Sequence, residues 1–192
     1  MAREENLSRV EVESATDLRD WLEANYGQEE SVWLVTYKKV AADKYVSTSE
    51  VLDELLCFGW IDGRRMKLDD QRTMQLISPR RVQHWSKTYK DRAAKLEREG
   101  RMKEPGRVAI QKSKSNGLWN LLDDVDALIQ PEDLKQALTA NDAAKAFFDA
   151  LPPASMRFAL RWIKLAKSDK TRANRIGKVV ELSAQRKKVP GS

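Results

Sequence analysis

The hydrophobic pattern of this 192-residue chain changes its period near Ser86. Before that point, residues 64–68 and 72–77 alternate apolar and polar side chains on either side of the polar turn 69–71, which predicts a β-hairpin. After it, apolar residues recur at helical spacing as far as the last few residues. A chain whose period changes from two to about 3.6 in this way is expected to be α+β.

Three segments ahead of the hairpin complete the first part. Residues 14–26 have the spacing and the serine cap of a helix, and residues 31–38, SVWLVTYK, have the composition of a strand covered on both faces. Residues 47–50, STSE, form a capping box at the start of a second helix. We therefore expect residues 1–86 to form a small antiparallel sheet with helices. Residues 87–192 should be all-helical and should pack on the first part as one compact unit.

The rare reactive residues exclude several chemistries. Cys57 is the only cysteine and His84 the only histidine, so an intramolecular disulfide and a cysteine-based zinc site cannot form within one chain. We expect Cys57 to be a buried packing residue. No Walker loop, GxGxxG run, nucleophile elbow or HExxH motif is present. No catalytic residue, cofactor or metal is therefore assigned, and the chain is expected not to be an enzyme.

The sequence also bears on location. No apolar run approaches the roughly 18 residues that a membrane span requires, and the first residues do not have the pattern of a secretory signal. We expect a cytoplasmic protein without membrane insertion.

Positive charge is concentrated at the carboxyl end. Residues 156–192 hold 11 Lys and Arg against two acidic residues, a net charge of +9, whereas the first 155 residues carry −3. Five of the basic residues flank the apolar faces of the last two predicted helices: Arg157, Arg161, Lys164, Arg172 and Arg175. Such a stripe suits a nucleic-acid backbone or another anion, but a solvated or internally paired face gives the same pattern.

A second cluster follows the predicted hairpin and contains Asp62, Arg80, Arg81, His84 and Trp85. Two guanidinium groups beside an indole can hold a phosphate or carboxylate while the indole stacks on a ring, and Asp62 can orient one arginine. The alternative is that these residues have structural roles only, with Asp62 in a tight turn, Trp85 in the core and Arg80 paired with a surface acid. These five residues are the candidate ligand site.

Four runs carry a family resemblance: LDELLCFGWIDGRRMKLDD, SPRRVQHWSK, EREGRM and MRFALRWIKLAKSDKTRANRIGKVVELSAQ. They resemble the bacterial YdeI/OmpD-associated family, also called the bacteriocin-protection family, from about Trp21 to Arg186. The CFGWIDG run and the run from Ala166 through Arg172 to Ile176 are the most specific to it. The resemblance implies a link to resistance against antimicrobial peptides and to an outer-membrane porin, and it implies no catalytic residues.

Together these observations favour a non-enzymatic protein of envelope or antimicrobial-peptide stress that binds an anionic small molecule or an acidic protein surface. A small enzyme or sensor for a phosphate- or carboxylate-bearing molecule is the first alternative. A non-specific nucleic-acid binder that uses the last two helices is the second.

Overall fold

The structure is a computed structural model that describes residues 7–81 and 83–189. These residues divide into two compact units. The first comprises the described residues up to 84 together with 88–119, and the second comprises 85–87 and 120–189. The expectation that the parts before and after residue 86 pack as one body stays a prediction.

The sheet belongs to the first unit. Among the described residues it has four strands in the order β1-β2-β4-β3. Their bounds are Arg9–Glu11 for β1, Val32–Tyr37 for β2, Trp60–Lys67 for β3 and Arg72–Pro79 for β4. The hairpin of β3 and β4 and the pairing of β2 with β4 are antiparallel. The α+β class is therefore confirmed, but β1 adds to β2 in parallel and makes the sheet mixed.

The two faces of the hairpin differ from the expected assignment. The alternation predicted a buried face containing Met66 and Met74, which do lie opposite each other across the strands. Met66 is nevertheless 38% exposed, whereas Gln75 and Ile77 on the other face are buried. The amide nitrogen of the buried Gln75 donates to the Asp62 carboxylate at 3.3 Å, which offsets part of the cost of burying this polar side chain. A bulge between Asp62 and Arg65 shifts the pairing register of β3.

Helix α1, Ala15–Asn25, and helix α2, Thr48–Cys57, begin where their caps predicted. The Ser14 hydroxyl accepts the amide hydrogen of Asp17 at 3.0 Å, and Ser47 and Glu50 form the complete capping box. Helices α3, Lys87–Arg98, and α4, Glu104–Ser115, follow the hairpin. A Cβ on Gly106 would lie 2.5 Å from the Cys57 carbonyl oxygen, so this glycine allows α4 to approach the carboxyl end of α2.

Two adjacent carboxylates on α2, Asp53 and Glu54, are buried and paired with arginines from three other segments. We call them the buried carboxylate pair. Glu54 accepts from Arg19 at 2.7 Å and from Arg101 at 2.6 Å, while Arg92 and, at 3.5 Å, Arg101 pair with Asp53. The pair therefore connects α2 to α1, to α3 and to the segment after α3. Removing one partner would leave a buried charge without compensation.

The second unit is built from short helices around one apolar core. Their bounds are Asp123–Asp126 for α5, Glu132–Thr139 for α6, Asp142–Asp149 for α7, Pro153–Lys164 for α8 and Asp169–Ala184 for α9. Phe148, Leu160 and Ile163 are among the core residues. The Asn141 and Ser168 side chains cap α7 and α9. Helix α5 has only four residues, which supply too little periodic pattern to predict a helix from the sequence.

Candidate functional site

The turn between α2 and β3 positions the candidate site. Gly59 in the CFGWIDG run has a φ of +71°, and a Cβ there would lie 2.7 Å from the Pro105 carbonyl oxygen. Its own carbonyl accepts the backbone amide hydrogen of Arg80 at 2.9 Å. Trp60 faces Pro79 across the hairpin. The hairpin therefore returns Arg80 to the end of the sheet from which β3 starts.

Asp62 and Arg80 meet through a residue that the sequence did not single out. The Tyr89 hydroxyl on α3 donates to one oxygen of the Asp62 carboxylate. The Arg80 guanidinium lies over the Tyr89 ring, with its central carbon 5.3 Å from the ring centroid. Tyr89 thus holds the acid by its hydroxyl and the arginine by its face. Its position in an amphipathic helix predicted only packing, because the partners lie 9 and 27 residues away.

The charge of Arg80 lies largely inside the protein. The residue is 8% exposed, and one of its terminal nitrogens donates to the His84 carbonyl oxygen at 3.4 Å. Burial lowers the pKa of the guanidinium to about 10, because a low-dielectric environment disfavours the charged form. At pH 7 only about 0.1% of molecules would carry it neutral, so Arg80 remains a fixed cation.

Arg80 lines an open cleft of about 410 Å³, which we call the Arg80 cleft. Lys112 adds a second cation, and Tyr26 and Val108 present apolar surface that is 49% and 54% exposed. The volume lies within the range of small-molecule sites. The cleft is lined by Tyr26, Phe58, Gly59, Pro79, Arg80, Glu104, Pro105, Val108, Ala109 and Lys112. It combines two cations with an apolar wall, which suits an anion with an apolar body.

The other residues of the predicted cluster lie in different surroundings. The Arg81 side chain is 60% exposed and donates to the Glu29 carbonyl oxygen at 2.7 Å. His84 takes part through its backbone carbonyl. Trp85 is 1% exposed and belongs to the second unit, so its ring is not an exposed stacking surface. The structure brings Asp62, Arg80 and the His84 backbone together, and ligand binding by the five residues stays a prediction.

The basic stripe of α8 and α9 is partly paired within its own unit. Lys164 lies 2.6 Å from the Asp124 carboxylate. Arg172 donates to both oxygens of Asp133 at 2.6 and 2.9 Å, and these hydrogen bonds lower the pKa of that carboxyl. The acids come from residues 120–155, which hold seven acidic residues and two lysines, a net charge of −5.

The remaining three members of the stripe have different surroundings. Arg175 donates to the Trp162 carbonyl and lies over its ring, with its central carbon 5.2 Å from the ring centroid. Arg157 makes a long hydrogen bond of 3.5 Å to the Asp126 carbonyl, and Arg161 is exposed. Internal pairing with acids therefore accounts for Lys164 and Arg172, and binding of an external anion by the stripe stays a prediction.

The described part of the chain has neither a clustered metal site nor a membrane-spanning helix. Within residues 7–81 and 83–189, no group of three or more His, Cys, Asp or Glu side chains is arranged to hold a metal ion. No helix among the same residues is both long enough and apolar enough to cross a membrane.

Comparison with known families divides the chain in two. Residues 10–109, just over half of it, match a family described as a domain of unknown function (DUF8412). Residues 127–186 match the family described as bacteriocin-protection, YdeI or OmpD-associated. The CFGWIDG run lies in the first match and the run from Ala166 to Ile176 in the second. No curated protein and no solved structure is significantly similar to the chain. The chain therefore belongs to the DUF8412 family, and its residues 127–186 match the bacteriocin-protection, YdeI or OmpD-associated family.

Proposed function

We propose that this protein is a non-enzymatic binding protein for a small organic anion, a carboxylate or a phosphate, and that it acts in envelope or antimicrobial-peptide stress. The family description of residues 127–186 supports the stress role, because it names bacteriocin protection. The binding role is supported by the Arg80 cleft of the first unit.

The observation that carries the proposal is a cation held in place before any ligand arrives. Arg80 is fixed by the Tyr89 ring, by the His84 carbonyl and by its own backbone bond to Gly59. A ligand anion therefore meets a side chain that has already lost most of its conformational freedom. Hydrogen bonds to a charged group contribute about 1.5–3 kcal/mol, and more of this is retained where water is excluded.

The rest of the cleft favours binding over catalysis. Lys112 is exposed, so it can approach the same anion as Arg80, while Tyr26 and Val108 cover the apolar part of a ligand. Among the described residues that line the cleft there is no serine, threonine, cysteine or histidine, and Glu104 is the one carboxylate. A Ser, Thr or Cys nucleophile with an adjacent base is therefore lacking within that set.

Thermal unfolding in low salt with hexanoate, benzoate and hexyl phosphate tests the proposal. We expect at least one of these anions to raise the Tm, since a ligand at 100 times its Kd stabilises the folded state by about 2.7 kcal/mol. Lys112→Gln should reduce the shift and Arg80→Gln should abolish it. Lys95→Gln, which removes an exposed lysine of α3, is the matched control because Lys95 does not belong to the cleft lining.

Two outcomes would overturn the proposal. The first is that no anion shifts the Tm at millimolar concentration. The second is that the shift is the same in Lys112→Gln as in the wild type. Because Lys112 is exposed, its variant is expected to fold even if Arg80→Gln does not, so the test does not depend on the buried residue.

A further inference from the structure

We propose that a second cleft of the first unit binds a planar aromatic molecule that carries a phosphomonoester, as a nucleoside 5′-monophosphate does. The cleft lies between α3 and α4 and has a volume of about 360 Å³. We call it the Trp119 cleft after the indole in its lining. It differs from the Arg80 cleft in every residue that lines it.

Apolar surface and an indole provide the place for the ring. Ala93, Ala94 and Ile110 contribute aliphatic surface from the two helices, and Trp119 contributes an aromatic one. The backbone amide of Trp119 donates to the Ser113 carbonyl at 2.9 Å, which holds the segment after α4 against that helix. A flat ring bound here gains apolar contact and can stack on the indole, an interaction that any nucleobase can make.

Two lysines provide the place for the phosphate. The ammonium nitrogens of Lys90 and Lys114 lie 5.4 and 5.2 Å from the centroid of the Trp119 ring. Both ammonium groups therefore lie over the indole, so a stacked base has to take the place of one of them. A lysine contact with a partly exposed ring is weak, and the displaced ammonium group can turn towards the phosphate.

The charge of the cleft lining selects the kind of anion. Arg107 and Glu97 also line it, and they neutralise each other through hydrogen bonds of 2.9–3.1 Å. Counted over the lining side chains, Lys90, Arg107 and Lys114 against Glu97 give a formal net charge of +2. A phosphomonoester carries roughly −1.5 to −2 at pH 7, which matches this charge better than the single negative charge of a carboxylate does.

Calorimetric titration with three probes tests the site. We expect 5′-AMP to bind, and adenosine and ribose 5-phosphate each to bind at least tenfold more weakly, because one lacks the phosphate and the other the ring. Trp119→Ala should weaken 5′-AMP binding by about tenfold, the loss expected for one base–aromatic stack. Lys90→Gln and Lys114→Gln should each weaken it by about two- to fivefold.

Two further variants separate this site from general effects. Lys95→Gln removes an exposed lysine of α3 that lies outside the cleft lining, and it should leave 5′-AMP affinity unchanged. Trp119→Phe keeps an aromatic surface, so its affinity should stay within a few-fold of the wild type while the fluorescence change on binding disappears. That signal assigns the binding to this indole among the six tryptophans.

Any of four results would overturn the inference. The first two are no binding of 5′-AMP at millimolar concentration in low salt and unchanged affinity in a folded Trp119→Ala variant. The other two are an affinity for ribose 5-phosphate or for adenosine equal to that for 5′-AMP, because the ring or the phosphate would then contribute nothing. None of these results bears on the Arg80 cleft, whose probes respond to Lys112.

Discussion

The buried carboxylate pair of the first unit and the basic stripe of the second use the same kinds of residue with opposite consequences. In the first unit, Asp53 and Glu54 are buried and three arginines reach them. In the second, Arg172 pairs with an Asp133 side chain that is 46% exposed. Water screens the second pair more strongly than the first because the Asp133 carboxylate is exposed and those of Asp53 and Glu54 are not, so burial of the carboxylate decides how much each contributes.

The comparison also shows why the net charge is a poor guide to where cations line a cleft. The excess of positive charge lies in residues 156–192, yet Lys164 and Arg172 there are paired with acids of the same unit. In the first unit, Arg80 and Lys112 line the Arg80 cleft, and Lys90 and Lys114 line the Trp119 cleft. These clefts lie in the part of the chain that carries less positive charge.

The largest expected effect concerns Cys57, next to the buried carboxylate pair. The thiol is fully buried, and burial raises its pKa to about 11. At pH 8 only about 0.1% of it would be thiolate, and the thiolate is the reactive form. In urea a thiol pKa near 8.5 gives about 24% thiolate at pH 8, so labelling with a maleimide should be about two hundredfold or more slower in the folded protein than in urea. Equally fast labelling in both conditions would contradict the burial that defines this region.

The next effect is on stability. Glu54→Ala should lower the free energy of unfolding by about 2–3 kcal/mol, somewhat less than the 3–5 kcal/mol of a fully buried pair. The reduction arises because the Arg19 and Arg101 side chains are 25% and 35% exposed and can regain water. Urea unfolding measures it. Glu181→Ala, which removes a glutamate exposed by 53% and paired with Lys178, is the matched control and should change stability by less than about 0.5 kcal/mol.

The smallest effect concerns the second unit. A double-mutant cycle of Arg172→Gln and Asp133→Asn should give a coupling energy below about 1 kcal/mol, since both side chains contact water. Because pairing lowers the pKa of Asp133 in the folded state, this coupling is present above the unfolded pKa near 4 and declines as the pH falls through the folded value. A coupling above about 2 kcal/mol would remove the contrast with Glu54.

Local signals predicted the helices and their starting points well. Ser14, Ser47, Asn141 and Ser168 each cap a helix, because a cap depends on residues three or four positions away. The first part's α+β class followed from the period of two around residues 69–71. Both patterns are contained in short windows of sequence.

Long-range contacts were beyond such windows. Tyr89 binds a carboxylate 27 residues earlier, and Arg101 one 47 residues earlier. The parallel strand β1 is three residues long, too short for a periodic signal. Asp62 and Arg80 were identified by residue type alone, and the hairpin that brings them together was predicted without the Tyr89 that links them. A charged residue's type does not show whether its partner is a ligand, an aromatic ring or another side chain.

The most direct test of the Arg80 cleft is the nitrogen resonance of the Arg80 side chain during a titration with hexyl phosphate. The buried guanidinium should give a resolved Nε–H signal, and its shift should move and saturate as the anion binds. We predict that this shift is reduced in Lys112→Gln and unchanged in Lys114→Gln. An Arg80 signal that stays constant throughout the titration, while the indole signal of Trp119 moves, would contradict binding in the Arg80 cleft.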